Sequence, residues 1–228
     1  MAKKNQQIIT GLGEGDVADF VFLPGDPGRG GGAASFPGPG GRMIATHHRS
    51  ARMIEFGIVM EASPGYTARL AREIEALGFD LLLCPDTQCL SPDPLAQLAL
   101  AAQTTTRLRL GTGVTNPVTR DVSVSATAFG TLQAESNGRA ICGIGRGDSS
   151  AAHAGLRNGT TAQLRTFVER LRAYQKGETV DRNGTASKLR WLDSVAITPV
   201  PIDIACTGPK TIEMAVDVGD RISFAVGS

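Results

Sequence analysis

From residue 54 onward, short continuous apolar runs alternate with longer stretches whose apolar positions fall three and four apart. That is the pattern of strands buried on both faces, separated by amphipathic helices. Residues 54–60 read as the first strand. A helix then has Ser63 as N-cap, Pro64 at its first position and Tyr66, Leu70, Ile74 and Leu77 on one stripe, until Gly78 ends it. Residues 80–84 form a second strand, and Asp93-Pro94 opens a helix turning Leu95, Leu98, Ala99 and Ala102 inward. The third strand, 108–113, runs into the loop Val114-Thr115-Asn116-Pro117, followed by a helix with Val122, Ala126, Phe129 and Gln133 at helical spacing. A fourth strand, 139–143, opens into Ile144-Gly145-Arg146-Gly147-Asp148-Ser149. Thr160 and Gln163 make a capping box for a helix burying Leu164, Phe167, Val168, Leu171 and Tyr174, closed by Lys176-Gly177. Residues 178–201 have no clear period and read as an excursion with a hairpin turn at Asn183-Gly184. Residues 202–206 are a fifth strand, 209–218 a helix and 221–226 a sixth strand.

Strands alternating with helices imply a parallel sheet with right-handed crossovers. In such proteins chemistry collects on the loops at the carboxyl ends of the strands, which vary while the strands hold them in place. The 113–117 and 144–149 loops both fall there, side by side.

Residues 1–52 break the pattern. The segment 25–41 is so rich in Gly, Pro and Ser that it has little apolar surface to offset its ordering entropy. The domain reading is therefore a disordered arm or linker over 1–52, contributing nothing to folding, and one α/β domain over 53–228. The 23 Lys and Arg nearly balance the 22 Asp and Glu, which argues against nucleic acid or an anionic membrane as partner. The amino terminus has no apolar signal core, so the expectation is a cytoplasmic protein with a small-molecule substrate and self-association left open. Cys84, Cys89, Cys142 and Cys206 have neither Cys-x-x-Cys nor zinc spacing, so no metal is expected and buried inert thiols are. Neither 143–147 nor 11–15 completes G-x-G-x-x-G, which argues against a dinucleotide fold.

The motif GTGVTNPVTRD at 111–121, with LQAESNGR at 132–139 and CGIGRGDSS at 142–150, resembles the luciferase-like monooxygenase superfamily. Within it the chain is most similar to deazaflavin-dependent reductases of the methylenetetrahydromethanopterin reductase kind. The resemblance covers about residues 54–228 and implies a TIM-type (β/α)8 barrel. With about six β/α units present, the barrel is expected to be incomplete, its last two units falling beyond Ser228. It implies hydride transfer between a deazaflavin (coenzyme F420) and a small organic substrate. An FMN-dependent monooxygenase is the alternative, and an inactive truncated remnant a third.

The resemblance places Asp148 beside the reacting ring, where a carboxyl held partly out of water exchanges the accompanying proton; a helix N-cap is its structural alternative. Glu61, at the end of the first strand, is a second proton-handling candidate or a solvated charge. Asp86 aligns with an acidic residue near the cofactor. Thr87 stands where the sugar-phosphate and secondary-alcohol branches carry a His, and their Trp a few residues on is missing, which counts against those substrates. Gly113 and Val114 match the place of a non-prolyl cis peptide behind the ring. Thr115 and Asn116 are candidates for its polar edge, or else form an Asn-Pro turn. Gly145 and Gly147 join the cofactor-binding set. So do Thr207 and Gly208, before a helix amino terminus suited to a phosphate, though a plain strand-to-helix turn is the alternative.

A shorter likeness lies at 15–29, which resembles the amino-terminal segment of nucleoside phosphorylases. There Gly25, Asp26, Pro27 and Arg29 match phosphate-holding positions. Nothing later supplies a nucleoside pocket, so this segment reads as a scrap of a neighbouring or fused gene, with Met43 or Met53 as alternative starts.

Overall fold

The computed structural model describes residues 7–10 and 54–226. In chain order the elements are β1 (Gln7–Thr10), β2 (Gly57–Val59), α1 (Thr67–Ala76), β3 (Leu81–Cys84), α2 (Pro94–Ala102), β4 (Arg109–Thr112) and α3 (Val122–Glu135). They continue with β5 (Ala140–Ile144), α4 (Asp148–His153), α5 (Thr161–Gln175), β6 (Val180–Arg182), β7 (Thr185–Ser187), a 3-10 turn (Arg190–Asp193), β8 (Ile202–Cys206), α6 (Pro209–Val218) and β9 (Arg221–Val226). The main sheet runs β1-β9-β8-β5-β4-β3-β2, parallel throughout except for the antiparallel β1–β9 pair. The six parallel strands are those read from the sequence, so the fold is an incomplete TIM-type barrel.

The curl of the sheet shows in one ion pair. Flat, the edge strands β2 and β9 would lie about 24 Å apart, five spacings of roughly 4.8 Å. Yet Glu55, just before β2, reaches Arg221, the first residue of β9, at 2.6 Å, and Arg109 of β4 at 2.9 Å. Burial alone would push the Glu55 carboxyl up, but Arg221 and Arg109 more than offset it and hold the group below the usual carboxylate range. Beside this cluster Asp203 is buried and accepts a hydrogen bond from the Ser223 hydroxyl. These charges sit at the amino-terminal end of the strands, away from the loops that end them.

Two separate apolar clusters show that the strands are covered on both faces, which is why they read as continuous runs. Leu82, Leu110, Cys142, Ile144, Ile202, Ile204 and Cys206 pack with helical residues such as Phe129, Leu164 and Leu171. Leu81, Leu83 and Ile141, with Val59, form the inner cluster. Cys84, Cys142 and Cys206 are buried as expected, whereas Cys89, in the turn after β3, is exposed; burial pushes the Cys84 thiol up to about 12.

The 202–226 elements, the Thr160–Gln163 capping box and the hairpin at Asn183-Gly184 all form as the sequence reading has them. Both turn residues have positive φ, 57° and 82°, as a two-residue hairpin of this hand requires. The first helix differs. Its inward face is Thr67, Ala71 and Ile74, whereas Tyr66 and Leu77 are exposed. Small residues let the helix lie close to the sheet, so the buried stripe is displaced from the large apolar positions. Ser63 does not cap α1 directly. It starts a turn whose carbonyl accepts the amides of Tyr66 and Thr67, and the helix follows.

The arm over 1–52 lies largely outside the described residues, as do Gly25, Asp26, Pro27 and Arg29. Its one described piece, β1, covers the outer edge of β9 through the register Gln7 to Val226 and Thr10 to Ser223, and a covered edge offers no template for stray pairing. No helix among the described residues is long and apolar enough to cross a membrane.

Candidate functional site

The loop after β4 is welded to β5 by backbone bonds. The Thr115 amide donates to the Gly143 carbonyl at 2.8 Å, and the Gly145 amide donates to the Thr115 carbonyl at 2.8 Å. The Gly113–Val114 peptide is cis, at the position the resemblance implies. Gly113 itself is required by packing: a Cβ there would stand 2.9 Å from Leu83 Cβ, on the inner face of the sheet. The glycine thus faces a neighbouring strand rather than open space for a ring.

Behind this loop lies a buried polar knot. Asp86 is 1% exposed, and both its oxygens are taken. Arg120 donates to them at 2.6 and 2.9 Å, the Thr115 hydroxyl at 2.6 Å and Gln88 at 2.7 Å. Arg120 also reaches Asp93, the cap of α2, at 2.7 Å. Its bonds to Asp86 raise the Arg120 pKa, and the guanidinium stays charged. Asn116 is likewise enclosed. Its oxygen accepts from the amides of Val118 and Thr119, and its nitrogen donates to Thr119 and Ser150 hydroxyls, each at 2.9 Å. The side chains of Asp86, Thr115 and Asn116 are therefore spent on holding two loops together, and the Asn-Pro turn reading of Asn116 fits its geometry. Sequence reasoning missed Arg120, the cation that this knot is built on. The signal was present, since an Asp closing an apolar strand run needs a buried partner.

The loop after β5 turns at Gly147, whose φ is 89° and where a Cβ would meet the Asn116 side chain at 2.8 Å. Gly147 is also the N-cap of α4, so Asp148 is the first residue inside the helix and does not cap it. Its carboxylate is exposed and accepts from Asn158 at 2.6 Å. The expected partial exclusion of water from Asp148 is not met in this chain. Glu61 is exposed past the end of β2.

What remains at the mouth of the sheet is a low apolar floor. An added Cβ at Gly145 would lie 3.1 Å from Val114 Cγ2 and 3.5 Å from Ala205 Cβ, so the carboxyl ends of β4, β5 and β8 meet there with only small groups. Thr207, exposed, and Gly208 follow β8 directly, and Gly208 is the N-cap of α6 with no side-chain cap. A Cβ on Gly208 would meet nothing within 4 Å, so the space beside that helix end is open. The small groups at the ends of β4, β5 and β8, beside a helix end with no side-chain cap, suit close approach of a ring that carries an anionic tail, and the residues present fit a flavin-type group.

A curled parallel β/α sheet whose candidate groups lie on the carboxyl-end loops is the architecture of an incomplete TIM-type barrel. The sequence pattern of the family described as "Luciferase-like monooxygenase" matches residues 39–226, and the chain belongs to that family. It is 32% identical over 158 residues to a 5,10-methylenetetrahydromethanopterin reductase of Methanolobus tindarius, covering 68% of this chain and 48% of that one. It is 33% identical over 163 residues to an F420-dependent glucose-6-phosphate dehydrogenase of Beutenbergia cavernae, covering 64% and 48%. Among solved structures, the coenzyme F420-dependent tetrahydromethanopterin reductase of Methanopyrus kandleri superposes with a TM-score of 0.62 at 24% identity, over 73% of this chain and 54% of that one. A monooxygenase of Streptomyces bottropensis gives 0.56 at 26% identity, over 71% and 56%. The chain spans about half the length of the curated relatives it matches.

Proposed function

We propose that this chain is a deazaflavin-dependent oxidoreductase, moving a hydride between coenzyme F420 and a small organic substrate. The observation that carries the reading is the meeting of Val114, Gly145 and Ala205 at the carboxyl ends of the strands, with open space beside Gly208 at the start of α6. The relatives named for F420 support this cofactor over FMN.

Val114 and Gly145 would lie under the ring, and the amino end of α6 would face an anionic part of the cofactor, its dipole favouring negative charge. When bound, the deazaflavin supplies or accepts the hydride. Gly113, Thr115, Asn116, Gly147 and Asp86 serve the same site indirectly, by fixing the loops that form the floor. Asp148 follows β5 and Glu61 follows β2, each an exposed carboxylate beyond the carboxyl end of its strand. As a carboxylate, Asp148 can take a proton from an X–H group of substrate when hydride leaves the adjacent carbon. As the acid it returns that proton in the reverse direction. Asn158 holds the Asp148 carboxylate in place at 2.6 Å.

The alternative, an FMN-dependent monooxygenase, draws support from the Streptomyces structural neighbour, which is named a monooxygenase. One experiment separates the two: parallel equilibrium titrations of the chain with F420 and with FMN, read by cofactor fluorescence. Saturable binding of F420 at lower concentration than FMN is expected. Preference for FMN would overturn the assignment in favour of the alternative, and binding of neither would leave the chain without a cofactor-dependent role.

A further inference from the structure

On the outer side of the 113–121 loop, away from the floor, lies a cavity of about 350 Å³ between the amino-terminal turns of α3 and α5 and the end of β6. Three guanidinium groups line it, those of Arg120, Arg170 and Arg182, against a single carboxylate, Asp121. The three are not equally committed. Arg120 spends Nε and one Nη on Asp86 and Asp93, neither of which lines the cavity, and its other Nη has no acceptor among the described residues. Arg182 holds Asp121 through both Nη atoms and also lies against the Tyr174 hydroxyl. Arg170, half-buried on α5, has no ion pair or hydrogen-bond acceptor among the described residues; its neighbour Arg165, by contrast, pairs with Glu169 and Asp217.

Val122 is the first residue of α3, and Ala162, Gln163, Thr166, Phe167 and Arg170 run along one side of α5; both helix starts carry their own side-chain caps, Asp121 and the Thr160–Gln163 box. The remaining wall is apolar, with Pro117, Val122 and Phe167. Three arginines and a buried Phe thus line one concavity against a single carboxylate. The arrangement matches an anion by charge and fork geometry, and a compact carbon skeleton by its apolar wall.

We propose that this cavity is a second ligand site, separate from the floor at the mouth of the sheet, that takes a small organic dianion of the phosphate monoester type. Arg170 is its anchoring residue and Arg182 its second donor. Phe167 and Val122 contact the organic part. The site does not depend on which flavin, if any, binds at the floor.

The test uses the full chain uniformly labelled with nitrogen-15, so that backbone amides and arginine Nε groups are both read, titrated with phenyl phosphate against chloride at matched ionic strength. The expected result is a saturable shift of the Arg170 and Arg182 signals, with a dissociation constant on the order of a millimolar. Arg170→Gln, a surface substitution that leaves the fold intact, should weaken it by about tenfold or more, as expected for losing a charge-assisted pair. The proposal is overturned if chloride reproduces the shifts, if they fail to saturate, or if Arg170→Gln binds as the wild type does. It is equally overturned if the responding amides are those of Gly145 and Gly147 alone, since binding would then belong to the floor.

Discussion

Replacing Arg120 by Met should be among the most damaging single changes in this chain, although Arg120 lies in a loop. Its partner Asp86 has no exposed side-chain surface, and Arg120 itself is 13% exposed. Removing the guanidinium takes away bonds of 2.6 and 2.9 Å and leaves Asp86 only the Thr115 hydroxyl and the Gln88 amide. Breaking a buried pair by deleting one partner typically costs about 3–5 kcal/mol, because the survivor is an uncompensated buried charge. In a chain of 228 residues that corresponds to a fall in Tm of roughly 10 °C. Asp86→Asn should cost less, about 2–3 kcal/mol, since Arg120 keeps Asp93 at 2.7 Å and some access to water. The double variant should then be more stable than the sum of the two losses by at least about 1 kcal/mol. Urea unfolding followed by circular dichroism measures all three. The reasoning fails if Arg120→Met costs under about 1 kcal/mol, or if Asp86→Asn proves the costlier change.

Asp203→Asn probes the opposite end of the sheet. Burial pushes the Asp203 carboxyl up despite the Ser223 hydrogen bond and the nearby Arg221 and Arg109. The folded state therefore binds more protons than the unfolded chain above the ordinary carboxylate pKa, and this group's contribution to stability falls as pH rises through its raised folded value. The Asn variant lacks that loss, so its stability relative to wild type should grow as pH rises above the ordinary carboxylate range; a difference that shrinks with pH would reverse the sign. Asp148→Asn should leave Tm within about 1 °C, because Gly147 and not Asp148 caps α4. It should slow F420-linked turnover at least about tenfold; full activity would remove Asp148 from the proton path.

The β8, α6 and β9 bounds were legible to the residue because Pro209, a continuous apolar strand and a helical stripe each give a local signal. The hairpin was legible for the same reason, Asn183-Gly184 being a turn that few other dipeptides make. Side-chain direction in the loops was not. Asp86, Thr115 and Asn116 sit where a ligand-facing group would, but whether such a residue turns outward depends on what a distant segment offers, here Arg120 and Ser150. The first helix misled for a related reason. Thr67 and Ala71 carry too little apolar surface to mark a buried face, yet their small size is what lets α1 approach the sheet. The strand at Gln7–Thr10 lacks any flanking pattern, and its partner is more than two hundred residues away in sequence. The floor itself was half visible: Val114 and Gly145 came from two motifs, while Ala205 has no motif and enters only through the adjacency of β5 and β8.

The placement of the cofactor is tested most directly by comparing F420 affinity in the wild-type chain and in Gly145→Leu. A Cβ at this position would lie 3.1 Å from a Val114 methyl, so Val114 must shift to admit it; circular dichroism first establishes that the variant is folded, and its branched end then covers the floor. The account predicts saturable F420 fluorescence changes with the wild type and an affinity at least about tenfold weaker in Gly145→Leu, a loss of roughly 1.4 kcal/mol or more. A folded Gly145→Leu variant that binds F420 as tightly as the wild type would contradict it.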